Sequence, residues 1–135
     1  MTKLISLEVQ FPTEKIARFL EQSEQDEVIC SRRLRYVDGN PAMLETNYYP
    51  MSYKFLFEEN LNNSLFDILA RHNIVVADGL RTIEICEPTL EEMHILNMKS
   101  RRSLLLFKDR QLDEKRRPLF FSKQLYCTDR MKFYL

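Results

Sequence analysis

Two arginines spaced two apart, Arg33 and Arg35, precede an Asp38-Gly39 turn, and Glu45 follows it. Residues i and i+2 of a strand share a face. Asp-Gly is a strong signal for a tight hairpin turn, which needs φ > 0. The spacing therefore predicts a hairpin that carries two guanidiniums up one strand and a glutamate down the next. Such a pair does one of two things. It grips an anionic group through bidentate guanidinium bonds, which lysine cannot form. Or it lies on a solvated strand face, paired to Glu45 and its neighbours.

Ser64 is the second feature with chemical content. It stands at a predicted helix start, where a hydroxyl, free backbone N–H groups and the positive dipole end suit an anion. The same residue type also caps helices with no ligand. The remaining reactive side chains form no catalytic pattern. His72 and His94, the only two histidines, have no metal-ligand partners at a telling spacing. Cys30, Cys86 and Cys127 lack CxxC spacing and a neighbouring histidine or basic signature. They fit a reduced cytoplasmic protein rather than a disulfide or zinc framework. No metal and no cofactor is expected. Two glycines in the whole chain exclude a Gly-rich phosphate loop of the Walker or Rossmann type.

The 135 residues are read as one domain, 1–135, with a single core. Lys plus Arg is 20 and Asp plus Glu is 20, a balance that argues against a nucleic-acid-binding module and against an electrostatic membrane anchor. No apolar run approaches the ~18 residues of a membrane span, and no signal peptide is evident.

Elements must position these groups. Ile5, Leu7, Val9 and Phe11 alternate with polar residues and predict a half-buried strand with those four on its apolar face, ended by Pro12. Thr13 caps a short helix to about Leu20. Strands follow over 27–37 and 41–49, then a loop with a helical turn over 51–61. Asn62 or Asn63 is expected to cap a helix over 64–72, with Leu65, Phe66, Ile68 and Leu69 on one side. Extended segments over 74–76 and 80–86 are separated by Asp78-Gly79. Thr89 and Glu92 have capping-box spacing and start a helix to about Met98. A second long hairpin covers 104–110 and 119–126, and Phe133 and Leu135 are expected in a last short strand. Without βαβ alternation, the class is α+β.

Taken in order, these segments resemble the UTRA domain. That is the effector-binding module of the HutC-like branch of GntR-family bacterial transcription regulators, with a chorismate lyase-like fold. The resemblance is carried by the hairpin Arg33 to Pro50, the opening strand Thr2 to Glu8, the helix start Asn63-Ser-Leu-Phe66 and the ending Pro118 to Phe133. It implies an antiparallel sheet of six or seven strands with about three helices packed on it. It implies a small anionic effector, a phosphosugar or organic acid, and a homodimer. DNA would be bound only through an N-terminal winged helix-turn-helix domain absent from this chain. By position it places Arg33 and Arg35 on the ligand's acid group, Glu45 on ligand hydroxyls or on the arginines, and Ser64 and Tyr126 in the cleft. Phe66 and Phe120 stand where sugar-binding relatives often carry tyrosine and glutamate, and Asn47 replaces a serine or threonine. These departures imply a more apolar pocket. Asp129-Arg130 is implied to fix the final turn. The domain would bind without catalysis; the alternative is a chorismate lyase-like enzyme acting on an anionic aromatic substrate.

Overall fold

The computed structural model describes residues 1–132 and 134. Its elements are β1 (Thr2–Gln10), α1 (Glu14–Phe19), β2 (Val28–Val37), β3 (Asn40–Pro50), a 3-10 helix (Met51–Glu58), α2 (Leu65–Arg71), β4 (Asp78–Cys86), α3 (Leu90–Ile95), β5 (Leu104–Leu112) and β6 (Pro118–Tyr126). Two short hairpin turns join β2 to β3 and β5 to β6, and helical connections join the other strands. The six strands form one sheet in the order β1-β2-β3-β6-β5-β4, and every neighbouring pair is antiparallel. This is the α+β architecture expected from the sequence, with six strands. The strand expected at Phe133 and Leu135 lies outside the described residues.

Asp38 and Gly39 both have positive φ, 51° and 80°, as a primed hairpin turn requires. That turn starts the β2–β3 ladder, and a one-residue register shift between Arg35 and Tyr36 brings Arg33 opposite Glu45. The helices cover both faces of the sheet. On one face, Ile29, Tyr49 and Phe120 pack with Leu56, Leu61, Leu65, Ile68 and Leu69 from the 3-10 helix, the following loop and α2. On the other, Leu34, Leu44 and Leu125 pack with Leu96 at the end of α3, while Phe19 of α1 meets Phe121 edge-on.

Several local expectations need correction. Leu7 packs against the core as expected, but Ile5, Val9 and Phe11 are exposed. A register shift between Leu4 and Ser6 breaks the two-residue period, so Leu4 rather than Ile5 joins Leu7 on the packed face. The α2 N-cap is Ser64, not Asn62 or Asn63. Asn62 is engaged elsewhere, its Oδ1 accepting from Leu4 N–H at 2.7 Å. Phe66 is 55% exposed and so leaves the apolar side of α2. Asp78-Gly79 does not separate two extended segments but opens β4. The capping box of Thr89 and Glu92 forms as expected, on a helix that ends at Ile95.

Arg130 fixes the chain's end. Its guanidinium donates to the carbonyls of Pro41, Leu96 and Asn97, at 2.6, 2.5 and 3.0 Å, tying the turn after β6 to β3 and α3. Replacing Arg130 with alanine is expected to cost about 2–3 kcal/mol through the carbonyls left without a donor. A lower urea midpoint at unchanged slope is the readout.

Burial also makes the core sensitive to alkali. It pushes Cys30 to about 11 and Tyr53 to about 12, and with Glu45 it holds Tyr49 above the usual phenol range. All three ionise more readily once unfolded. Their contribution is therefore complete below the ordinary values of 9 and 10 and is lost as pH rises through the folded values. Urea unfolding at about pH 8 and about pH 10.5 should show the higher pH clearly destabilising.

Candidate functional site

The sheet face that carries α2 holds a cavity of about 480 Å³ between the strands, the 60s loop and the start of α2. That volume suits a metabolite-sized ligand. All seven site residues predicted from the sequence line it: Arg33, Arg35, Glu45, Ser64, Phe66, Phe120 and Tyr126.

The two arginines differ sharply. Arg33 is 9% exposed. It forms a two-pronged pair with Glu45, Nε to Oε1 at 2.7 Å and Nη2 to Oε2 at 2.9 Å. Its Nη1 donates to the carbonyls of Leu61 and Asn63 at 3.3 and 3.1 Å. Four of the five N–H groups of a guanidinium are thus committed within the chain. Burial works against the charge on Arg33, and the Glu45 bonds outweigh it, raising the pKa further. Arg33 therefore clamps the 60s loop to the sheet and so sets where Ser64 and Phe66 stand. Arg35, two residues on and on the same face, is exposed and has no ion pair or hydrogen bond among the described residues.

Ser64 lines the cavity, and although it is the N-cap of α2 its side chain makes no capping hydrogen bond. Phe66 forms part of the rim. Tyr126 packs its ring on Phe107 at 5.0 Å between centroids. Burial raises its hydroxyl pKa, while the nearby Arg81 and Arg35 pull it down. Phe120 is only 1% exposed, and its ring lies 5.2 Å from Tyr49. It is chiefly a core residue whose edge meets the cavity.

The sheet floor beside the aromatic side chains is polar. One cross-strand row runs Ser31, Asn47, Ser122, Asp109, Arg81 in register over five strands, and four of those five are buried polar residues. Asp109 accepts from Arg81 Nε and Nη2 at 2.6 and 2.8 Å and from Gln124 Nε2 at 2.8 Å. Gln124 also donates to Ser122 Oγ at 2.9 Å. Asn47 Nδ2 donates to Tyr49 Oη at 3.0 Å, whereas its Oδ1 is buried with no partner among the described residues. Sequence reading missed Arg81, Asp109, Ser122 and Gln124. The two-residue spacing of Phe120, Ser122, Gln124 and Tyr126 was the available signal, since strand periodicity puts them on one face. Nothing local joined Arg81 to Asp109, 28 residues away.

Three guanidiniums (Arg33, Arg35, Arg81) face two carboxylates (Glu45, Asp109) in the lining. Each carboxylate has its own arginine, so the surplus positive charge belongs to Arg35. Among the described residues, no three His, Cys, Asp or Glu side chains are grouped as metal ligands, and no helix is long and apolar enough to cross a membrane.

The family model of the UTRA domain matches residues 1–132; the chain belongs to this family, a module of GntR-family transcription regulators. It is 30% identical over 97 residues to the HTH-type transcriptional regulator GmuR of Bacillus subtilis (strain 168). That match takes in 70% of this chain and 41% of GmuR, so the chain spans less than half of its curated relative. In fold it is similar to the effector domain of PhnF from Mycobacterium smegmatis, with TM-score 0.91 and 24% identity over 98% of this chain and 83% of that one. It is likewise similar to a GntR-family transcriptional regulator from Enterococcus faecalis V583, with TM-score 0.85 and 20% identity over 100% and 99% of the two chains.

Proposed function

We propose that this domain senses a small anionic metabolite, a phosphosugar or organic acid, and that binding controls how an attached DNA-binding domain engages its operator. The observation that carries the reading is the uncommitted guanidinium of Arg35 in a cavity whose other charges are already paired. Arg35 anchors the acid group and the free Ser64 hydroxyl supports it. Glu45, Asp109 and the unpartnered Asn47 Oδ1 accept from donors on the ligand body, and Phe66 and Tyr126 pack against its apolar parts. Arg33 contributes mainly by holding the loop, with one N–H left for the ligand. A thermal-shift screen of phosphosugars, sugar acids and organic acids tests this. At least one acid should stabilise the domain, and its stabilisation should fall sharply once Arg35 is alanine. Equal stabilisation of both proteins would remove Arg35 from the site.

The domain works in the cytoplasm as a homodimer, with DNA read through a domain outside these 135 residues. The effector acts by binding one conformation better, which changes the spacing of paired DNA-binding domains relative to operator half-sites. The β4 edge supports a second copy as the partner. Leu80, Ile83 and Ile85 are exposed there, and the strand pairs with β5 without a bulge. The β1 edge, by contrast, is interrupted by one. A long, regular, apolar edge strand invites pairing. Each charge on β4 is already matched within the chain, Asp78 by Arg116, Arg81 by Asp109 and Glu84 by Lys108, so an antiparallel copy meets no unpaired charge. Light scattering should give a dimer for the wild type and a shift toward monomer for Ile83→Lys. An Ile83→Lys dimer as tight as the wild type would move the interface elsewhere.

A further inference from the structure

Behind the effector cavity, on the opposite face of the sheet, the chain places like charges together. Lys108 on β5 and Lys123 on β6 are directly opposite each other, an arrangement that destabilises a sheet unless something offsets it. Lys108 has a partner, Glu84, at 2.6 Å. Lys123 has no carboxylate partner among the described residues; its Nζ stands 5.8 Å from the centroid of the Tyr48 ring. Half-burial and the neighbouring Lys108 and Lys15 all disfavour its charged form, with only Glu92 among nearby carboxylates helping it. Next to this pair is a cavity of about 350 Å³ whose lining includes Lys15, Thr82, Glu84, Lys108, Arg110 and Phe121. Lys15 and Arg110 are exposed and form no ion pair among the described residues. Three cations therefore face one carboxylate in the lining, and Lys123 adds a fourth beside it.

Strand alternation keeps this cavity distinct from the first. Lys108 and Arg110 flank Asp109, and Lys123 lies between Ser122 and Gln124. Asp109, Ser122 and Gln124 point to the effector side, and the three cations point away from it. A wholly structural role for the cluster leaves Lys123, Lys15 and Arg110 without a carboxylate partner among the described residues, because Glu84 is taken by Lys108. A bound anion supplies the counter-charge. The excess of positive charge favours a dianion over a single carboxylate, and the Thr82 hydroxyl adds a neutral hydrogen-bond donor.

We propose that the groove lined by Lys15, Lys108 and Arg110, with Lys123 beside it, is a second anion site that takes one phosphate group, free or carried on a small phosphomonoester. The two sites share the backbones of β5 and β6. The test is thermal denaturation and calorimetry with inorganic phosphate, and separately with glycerol phosphate, at ionic strength held constant with sodium chloride. Five proteins are compared: wild type, Arg35→Ala, Lys123→Met, Lys108→Met/Lys123→Met and Lys15→Ala. The proposal expects a saturable rise in Tm for the wild type at up to about 10 mM phosphate. The rise persists in Arg35→Ala, is lost in the double variant, and needs roughly tenfold more phosphate in Lys15→Ala. Without phosphate, Lys123→Met should melt higher than the wild type, because the facing charges are gone. A response to only one of the two compounds identifies the form taken. The proposal is overturned if phosphate gives no rise. It is also overturned if the rise disappears only in Arg35→Ala, which assigns it to the effector cavity. Equal rises in the wild type and the charge variants overturn it too. If the double variant does not fold, Lys15→Ala decides, because Lys15 is exposed on α1, and an unchanged phosphate affinity there counts against the site.

Discussion

Arg33→Ala is expected to lower the stability of the domain by about 3–5 kcal/mol, because it strands a buried carboxylate and empties a clamp. Glu45, nearly as buried as its partner, keeps its charge without a counter-ion. The carbonyls of Leu61 and Asn63 lose their donor as well. For a domain of this size such a loss lowers Tm by roughly 10–20 °C. Arg33→Met combined with Glu45→Leu should cost much less, since a buried ion pair replaced by apolar groups of similar volume is often nearly neutral. Chemical denaturation of the two variants separates these cases. A single variant within about 1 kcal/mol of wild type would show that the pair is solvated and that the loop is held by something else.

Arg35→Ala should do the reverse. Its side chain is exposed and unbonded, so stability should change by no more than about 0.5 kcal/mol, as for other surface positions. The effector should suffer instead. Losing a charge-assisted contact to an anion costs about 1.5–3 kcal/mol, a fall in affinity of roughly 10–150-fold. Two arginines two residues apart thus separate into one whose loss unfolds and one whose loss unbinds. A calorimetric titration of the best-stabilising acid into wild type and Arg35→Ala gives the ratio directly. Similar affinities, with stability reduced in Arg35→Ala, would reverse the assignment.

That division was not legible in the sequence, although the residues were. The features that rest on local chemistry could be read directly. Asp38-Gly39 can only make a tight turn, Thr89 and Glu92 can satisfy one another's caps, and an Arg-x-Arg run on a strand must share a face. The errors came from places where distant parts of the chain decide. A bulge in β1 put Leu4 rather than Ile5 on the packed face beside Leu7. Asn62 was taken up by the Leu4 N–H, and the N-cap position fell to Ser64, whose hydroxyl makes no capping bond. The polar floor depends on the β3–β6–β5–β4 register, and no local signal couples Arg81 to Asp109 or leaves Asn47 Oδ1 without a partner. The burial of Phe66 and Phe120 was also not legible. One turned into the core against Tyr49, and the other turned outward to the rim.

The most direct measurement is an NMR titration of the domain with its best-stabilising acid, following the arginine Nε–H signals and the backbone amides. The account predicts saturable shifts, with one common affinity, for the Arg35 Nε–H and the Ser64 amide, while the Arg33 Nε–H remains protected in its bonds to Glu45. Saturable shifts that bypass Arg35 and Ser64, or an Arg33 signal released from Glu45 as ligand binds, would contradict it.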